Sequence, residues 1–198
     1  MADDAEEVGF TLGFTTEDYE IFLNNETVSL DAVEHRYEDK LGTYLVKLST
    51  LKISPADSNK AAMLLKSLND FERIGDHALN ILESAEELNE KSLSLSDTAK
   101  HELSVLMSAV GEIVELSFSA FYHNDLQKAY MVEPLEQVID DLKEKMRLHP
   151  ILRLQQGNCS IETGFIWSDL LTALERVGDH CSNIAGSVVD AAHHDMNT

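Results

Sequence analysis

The chain repeats itself. Leu68-Asn-Asp-Phe-Glu72-Arg73-Ile-Gly75-Asp76-His77-Ala-Leu-Asn80-Ile81 aligns without gaps on Leu171-Thr-Ala-Leu-Glu175-Arg176-Val-Gly178-Asp179-His180-Cys-Ser-Asn183-Ile184, with eight of the 14 positions identical. Unrelated segments of that length match at roughly one position. The copies lie 103 residues apart in a chain of 198. The sequence therefore reads as two units of one kind, residues 1–93 and 94–198, that bury their apolar faces against each other as a single domain.

Each unit has room for three helices. Three prolines and nine glycines are few for 198 residues, which disfavours a many-turned β fold. Helix punctuation predicts six segments. The first covers about Ala5–Asn24. The second, about Thr27–Leu51, repeats Leu30, Val33, Tyr37, Leu41, Tyr44, Leu45 and Leu48 at helical spacing. Ser54-Pro55-Ala56-Asp57 supplies an N-cap, a proline at the first helical position and an early acid for a third helix reaching about Lys91. Ser94-Leu95-Ser96-Asp97 starts a fourth, ending near Tyr122, and Asn124 is read as the cap of a fifth, about Asp125–Gln156. Pro134 and Pro150 lie inside that fifth segment, and Gly157-Asn158 closes it. Ser160 with Glu162 opens the last, about Ile161–Ala192, ahead of a polar tail. The expected fold is all-α, a six-helix bundle of two tandem three-helix repeats.

Charge narrows the partners. Fifteen Lys and Arg against 36 Asp and Glu give a net charge of −21. Nucleic-acid binders displace phosphate counterions with basic side chains, so this balance argues against DNA or RNA, and against anionic lipid. The most apolar stretch, Leu103 to Tyr122, carries Glu112 and Glu115. Each would cost roughly 2–3 kcal/mol in a bilayer centre, so the stretch is expected to be an amphipathic helix and not a membrane span. Two cysteines, Cys159 and Cys181, make no disulfide framework, and the N-terminus lacks a signal-peptide pattern. A reducing, cytoplasmic compartment is the expectation.

The repeated segment carries the chemistry. Glu72 and Asp76 stand four residues apart on one helical stripe, at the edge of the leucine face, and Glu175 and Asp179 stand likewise. Carboxylates at that spacing repel one another, by more near a core than in water. A metal cation held by paired oxygens would offset this, as would an arginine from a neighbouring helix, and a solvated acidic edge is the plain alternative. Retention of the pair in duplicate favours metal. Arg73 and Arg176 are expected to pair with acids of adjacent helices, and Gly75 and Gly178 to admit a partner backbone. His77 and His180 are read as lying off the acidic stripe, at the surface or behind the ligands and not as ligands themselves, and Asn80 and Asn183 as extending the sites or bonding between helices. No Glu-x-x-His pair, phosphate-binding glycine loop or H-E-x-x-H occurs, so the usual signatures of di-metal, nucleotide and zinc-hydrolase enzymes are missing.

These two motifs closely resemble the duplicated signature of the PhoU family. Such a resemblance implies two three-helix repeats, a regulatory role in phosphate uptake, and metal held by the E-x-x-x-D of each repeat. His149-Pro-Ile-Leu-Arg153-Leu154-Gln-Gln-Gly157-Asn-Cys159-Ser160, running on to Asp169-Leu-Leu-x-x-Leu-Glu-Arg, looks like the version found as the soluble C-terminal domain of bacterial sodium/phosphate cotransporters. Carried over residue by residue, it implies Glu72, Asp76, Glu175 and Asp179 as metal ligands, with weaker matches at Asp70, Glu136 and Asp140. The first repeat offers only His35 and Asp39, beside Glu34, where the fifth helix has Glu136 and Asp140. Oxygen-only donors suit iron, manganese or magnesium better than a structural zinc site, with zinc retained among the candidates. The implied protein is non-enzymatic and acts on a membrane phosphate transporter at the inner face of the membrane, without inserting, as a monomer or homodimer. The alternatives are a carboxylate-bridged metal enzyme and a metal-free structural adaptor.

Overall fold

The computed structural model describes residues 30–51, 53–155 and 159–196. The expected first helix and the Gly157-Asn158 stop lie outside them. Six helices and no strand occur among the described residues: α1 (Leu30–Ser49), α2 (Pro55–Glu90), α3 (Asp97–His123), α4 (Leu126–Arg147), α5 (His149–Gln155) and α6 (Ile161–Met196).

The caps follow the sequence at the two serines. Ser54 Oγ accepts from the Asp57 amide with Pro55 opening α2, and Ser96 Oγ accepts from the Ala99 amide at the start of α3. Asn124 does something different from its expected role. It is the left-handed C-cap of α3, with φ 52°, while Asp125 caps α4 by accepting from the Gln127 and Lys128 amides. Asparagine tolerates the left-handed region better than most residues, so it ends a helix as readily as it starts one.

The expected fifth helix is two. Pro134 is accommodated inside α4, but the helix ends at Arg147 and α5 begins at His149. Pro150 has no N–H to give the carbonyl four residues back, that of Met146. The indole Nε1 of Trp167 donates to this carbonyl instead, at 3.3 Å. The last helix is longer than expected, because nothing after Gly186 breaks it and His193 is still helical.

α3, α4 and α6 pack on one another as a three-helix unit, and α1 lies on α2. The core of the second repeat joins Leu106, Ile113 and Ala120 of α3, Val132 and Ile139 of α4, and Trp167, Leu171, Cys181 and Ala185 of α6. α3 is, by length and mean hydropathy, apolar enough to cross a bilayer. Here one side of it supplies that core, and Ser117 Oγ donates to the Cys181 carbonyl at 3.0 Å.

The two repeats meet along α2 and α6, each of 36 residues and about 54 Å long. Lys91 at the end of α2 bonds to Glu162 at the start of α6, and Asp70 earlier in α2 bonds to Asn183 later in α6. Low numbers meet high ones, so the pair is antiparallel. The motif copies therefore face each other near the middle of the contact.

Candidate metal-binding faces

Each acidic pair sits as the helical wheel requires, half-sheltered and matched between repeats. The glutamates Glu72 and Glu175 are each 13% exposed, and the aspartates Asp76 and Asp179 are 30% and 31% exposed. The matching extends to the arginines, which pair differently from expectation. Arg73 reaches Asp76 Oδ2 at 3.2 Å and Glu72 Oε2 at 3.6 Å. Arg176 reaches Asp179 Oδ2 at 3.0 Å and Glu175 Oε2 at 3.7 Å. Three residues separate each arginine from its aspartate, a spacing that brings side chains together on one helix. Among the described residues both therefore bridge acids on their own helix and not on an adjacent one.

Among the described residues the second face gathers more acid than the first. From α4, Glu133, Glu136 and Asp140 confront Glu175 and Asp179 of α6. Burial first, then Asp140, Glu133 and Asp179, push the Glu136 carboxyl above its ordinary value, against a lowering bond from Gln137. Burial first, then Glu175 and Asp140, push Asp179 up despite Arg176. Lys143 gives partial relief, donating to Glu175 at 3.0 Å with its own pKa raised chiefly by that bond. Ser182 Oγ donates to Glu133 at 2.8 Å. Glu133 and Lys143 had a readable signal: 133, 136, 140 and 143 share one face of a helix.

Among the described residues the first face is poorer. Asp39 on α1 is exposed, and the side chains of Glu34 and His35 are outside the described set. Asp70 is placed elsewhere, buried in the α2–α6 contact with Oδ1 accepting from Asn183 Nδ2 at 3.1 Å and lying 2.9 Å from His180 Nδ1. Asn183 thus bonds between helices. His180 is an inter-repeat group, and the spacing shows why: His77 lies between Ile74 and Ile81 at three and four residues, as His180 does between Val177 and Ile184. The cost of a buried carboxylate is met here by donors from the other repeat.

Among the described residues no three or more His, Cys, Asp and Glu side chains converge as a formed metal cage. The donor chemistry of the second face nevertheless fits a hard cation. Its oxygens come from two helices, and burial together with neighbouring acids disfavours the ionised forms of Glu136 and Asp179. Among the described residues the first face shows the paired carboxylates with Arg73.

Gly178 does not admit a backbone as expected. A Cβ there would stand 3.5 Å from Ile139 Cγ2, an ordinary contact with a side chain. Gly178→Ala is expected to raise stability by about 0.5–1 kcal/mol, the helix-interior difference between the two residues. Urea denaturation checks it, and a loss of stability would mean the contact is tighter than this geometry.

A family model described as "PhoU domain" matches residues 13–85 and 103–188. The chain is 32% identical over 126 residues to a phosphate-specific transport system accessory protein PhoU homolog 1 of Thermotoga maritima, covering 64% of this chain and 53% of that one. It thus spans about half the length of that relative. A PhoU homolog of Deinococcus radiodurans is 26% identical over 167 residues, 84% of this chain and 77% of the relative. Crystal structures of PhoU from Pseudomonas aeruginosa and of a phosphate transport system regulatory protein PhoU from Streptococcus pneumoniae share the fold. The first has TM-score 0.77 at 23% identity over 83% of this chain and 78% of its own. The second has 0.72 at 20% over 89% and 79%.

Proposed function

The chain belongs to the PhoU family, and from that premise we propose that it is a non-enzymatic regulator of phosphate uptake, working by contact with a membrane phosphate transporter. The accessory and regulatory roles in the names of its relatives support this reading. We further propose a sodium/phosphate cotransporter as the target, on the resemblance of residues 149–160, and a site at the inner face of the membrane.

The observation that carries the metal reading is the acid cluster between α4 and α6, where burial and neighbouring acids raise Glu136 and Asp179 together. Glu175, Asp179, Glu136 and Asp140 would hold the cation, and Glu72 with Asp76 a second one. A bound cation would neutralise the cluster and tie α4 to α6. The protein's own part is to keep these oxygens half-sheltered, with Lys143 and Arg176 holding Glu175 in place and Ser182 holding Glu133. One observation favours a metal-free adaptor: the arginine bridge repeated in both copies already offsets part of the repulsion.

Two experiments divide these readings. Metal analysis after incubation with iron, manganese, zinc or magnesium should find more metal on the native chain than on Glu72→Ala/Glu175→Ala, and equal content sinks the metal reading. Separately, adding the domain to vesicles carrying a sodium/phosphate cotransporter should change phosphate flux. A null result both there and in direct binding to the transporter removes the proposed target.

A further inference from the structure

At the centre of the inter-repeat contact the motif histidines stand together. The His77 and His180 rings, one from each repeat, have centroids 5.7 Å apart and planes inclined by 23°. The rings are stacked and offset at that separation, which also falls within the roughly 5–6.5 Å expected when one nitrogen of each ring lies about 2.0–2.1 Å from a shared metal ion.

The surroundings prepare His180 as a ligand. Asp70, buried and on the opposite helix from His180, lies 2.9 Å from its Nδ1. A carboxylate at Nδ1 fixes the proton there and leaves Nε2 with a free lone pair, the arrangement that orients metal-binding histidines elsewhere. Asn80 Nδ2 lies 3.5 Å from His77 Nδ1. Both rings keep partial access to solvent, and both nearby arginines are paired to carboxylates.

We propose that His77 and His180 form a separate nitrogen-donor site for a borderline divalent ion such as zinc, on the seam between the repeats, with Asp70 positioning His180. The site differs in kind from the acidic faces. Imidazole nitrogen suits zinc, nickel and copper, whereas carboxylate-rich faces suit harder ions. It takes one ligand from each repeat, with water completing the coordination, so occupancy ties α2 to α6. The proposal does not rest on the acidic faces binding anything.

Zinc alone is the probe, and the full chain carrying Glu72→Gln, Asp76→Asn, Glu136→Gln, Asp140→Asn, Glu175→Gln and Asp179→Asn isolates the seam. This variant should bind zinc by calorimetry and melt at a higher temperature with it. Adding His77→Gln/His180→Gln should abolish both effects while circular dichroism stays helical. Adding Asp70→Asn alone should weaken zinc by about tenfold or more, the usual loss when an outer partner of a ligand is removed. If the double histidine variant loses helicity, electron paramagnetic resonance of Cu²⁺ on the isolating variant decides, since single substitutions at 77 and 180 must each alter the nitrogen coupling. Zinc binding that survives both histidine substitutions, or its absence before they are made, overturns the proposal.

Discussion

Trp167→Ala is expected to destabilise the protein by about 3–5 kcal/mol, the range for emptying a large aromatic site in a core. Trp167 is 1% exposed and heads the fully buried side chains by volume. It also does two things a leucine could not. Its Nε1 donates to the Met146 carbonyl, and its ring lies 5.0 Å from the Arg153 guanidinium, which is in turn paired with Glu102 of α3. One side chain thus closes the end of α4, seats α5 and packs α6 against α3. Trp167→Phe separates the contributions: it keeps most of the volume, leaves the carbonyl without its donor, and should cost about 1–2 kcal/mol. Urea denaturation followed by far-UV circular dichroism checks both. A loss below about 1 kcal/mol for the alanine variant would mean that this end of the second repeat is not packed as described.

Much of this architecture was legible because local chemistry decided it. A serine followed by proline and an acid has few uses other than starting a helix, and α2 begins there. The duplicated motif placed the acidic pairs on matching faces before any packing was known. Where the sequence under-specified the outcome, two local solutions were equally available. Asn124 and Asp125 can each cap, and the left-handed conformation of Asn124 assigned the acid to the next helix. Pro150 was recognisable as a helix breaker, but the donor that completes the break comes from residue 167, which no local rule links to residue 146. Arginine is long enough to reach either its own helix or another, so the partners of Arg73 and Arg176 were not fixed by spacing alone. Asp70 shows the deeper limit: beside Glu72 in sequence it resembles a third ligand, yet it belongs to the face that meets α6. The Ile74-His77-Ile81 spacing held that information, and only the other helix gives it meaning.

The acid cluster of the second face should give stability and metal affinity opposite signs. Asp179→Asn or Glu136→Gln removes a charge whose ionised form burial and neighbouring acids disfavour. The metal-free protein should therefore gain a few tenths to about 1 kcal/mol, the scale of partly screened charge pairs. The same changes should cut affinity for manganese or iron by more than the roughly 10–100-fold that loss of an outer partner costs. The pH dependence follows from the direction of the two shifts. A carboxyl with a raised folded pKa binds more protons in the folded than in the unfolded state between its ordinary and raised values, so stability falls as pH rises through that window. The metal-free protein should thus gain from these two groups on acidification into the window, the reverse of a carboxylate held by a salt bridge, and Asp179→Asn should flatten the slope. Saturating metal inverts the trend, because the cation binds the ionised form and protons compete with it. Urea denaturation with chelator and with manganese, across pH, distinguishes the readings of this face. A cation site yields opposite signs in the two conditions, and a solvated edge yields almost nothing in either. An arginine-bridged adaptor loses stability on Asp179→Asn, because Arg176 loses its closest acid, and does so equally with and without manganese.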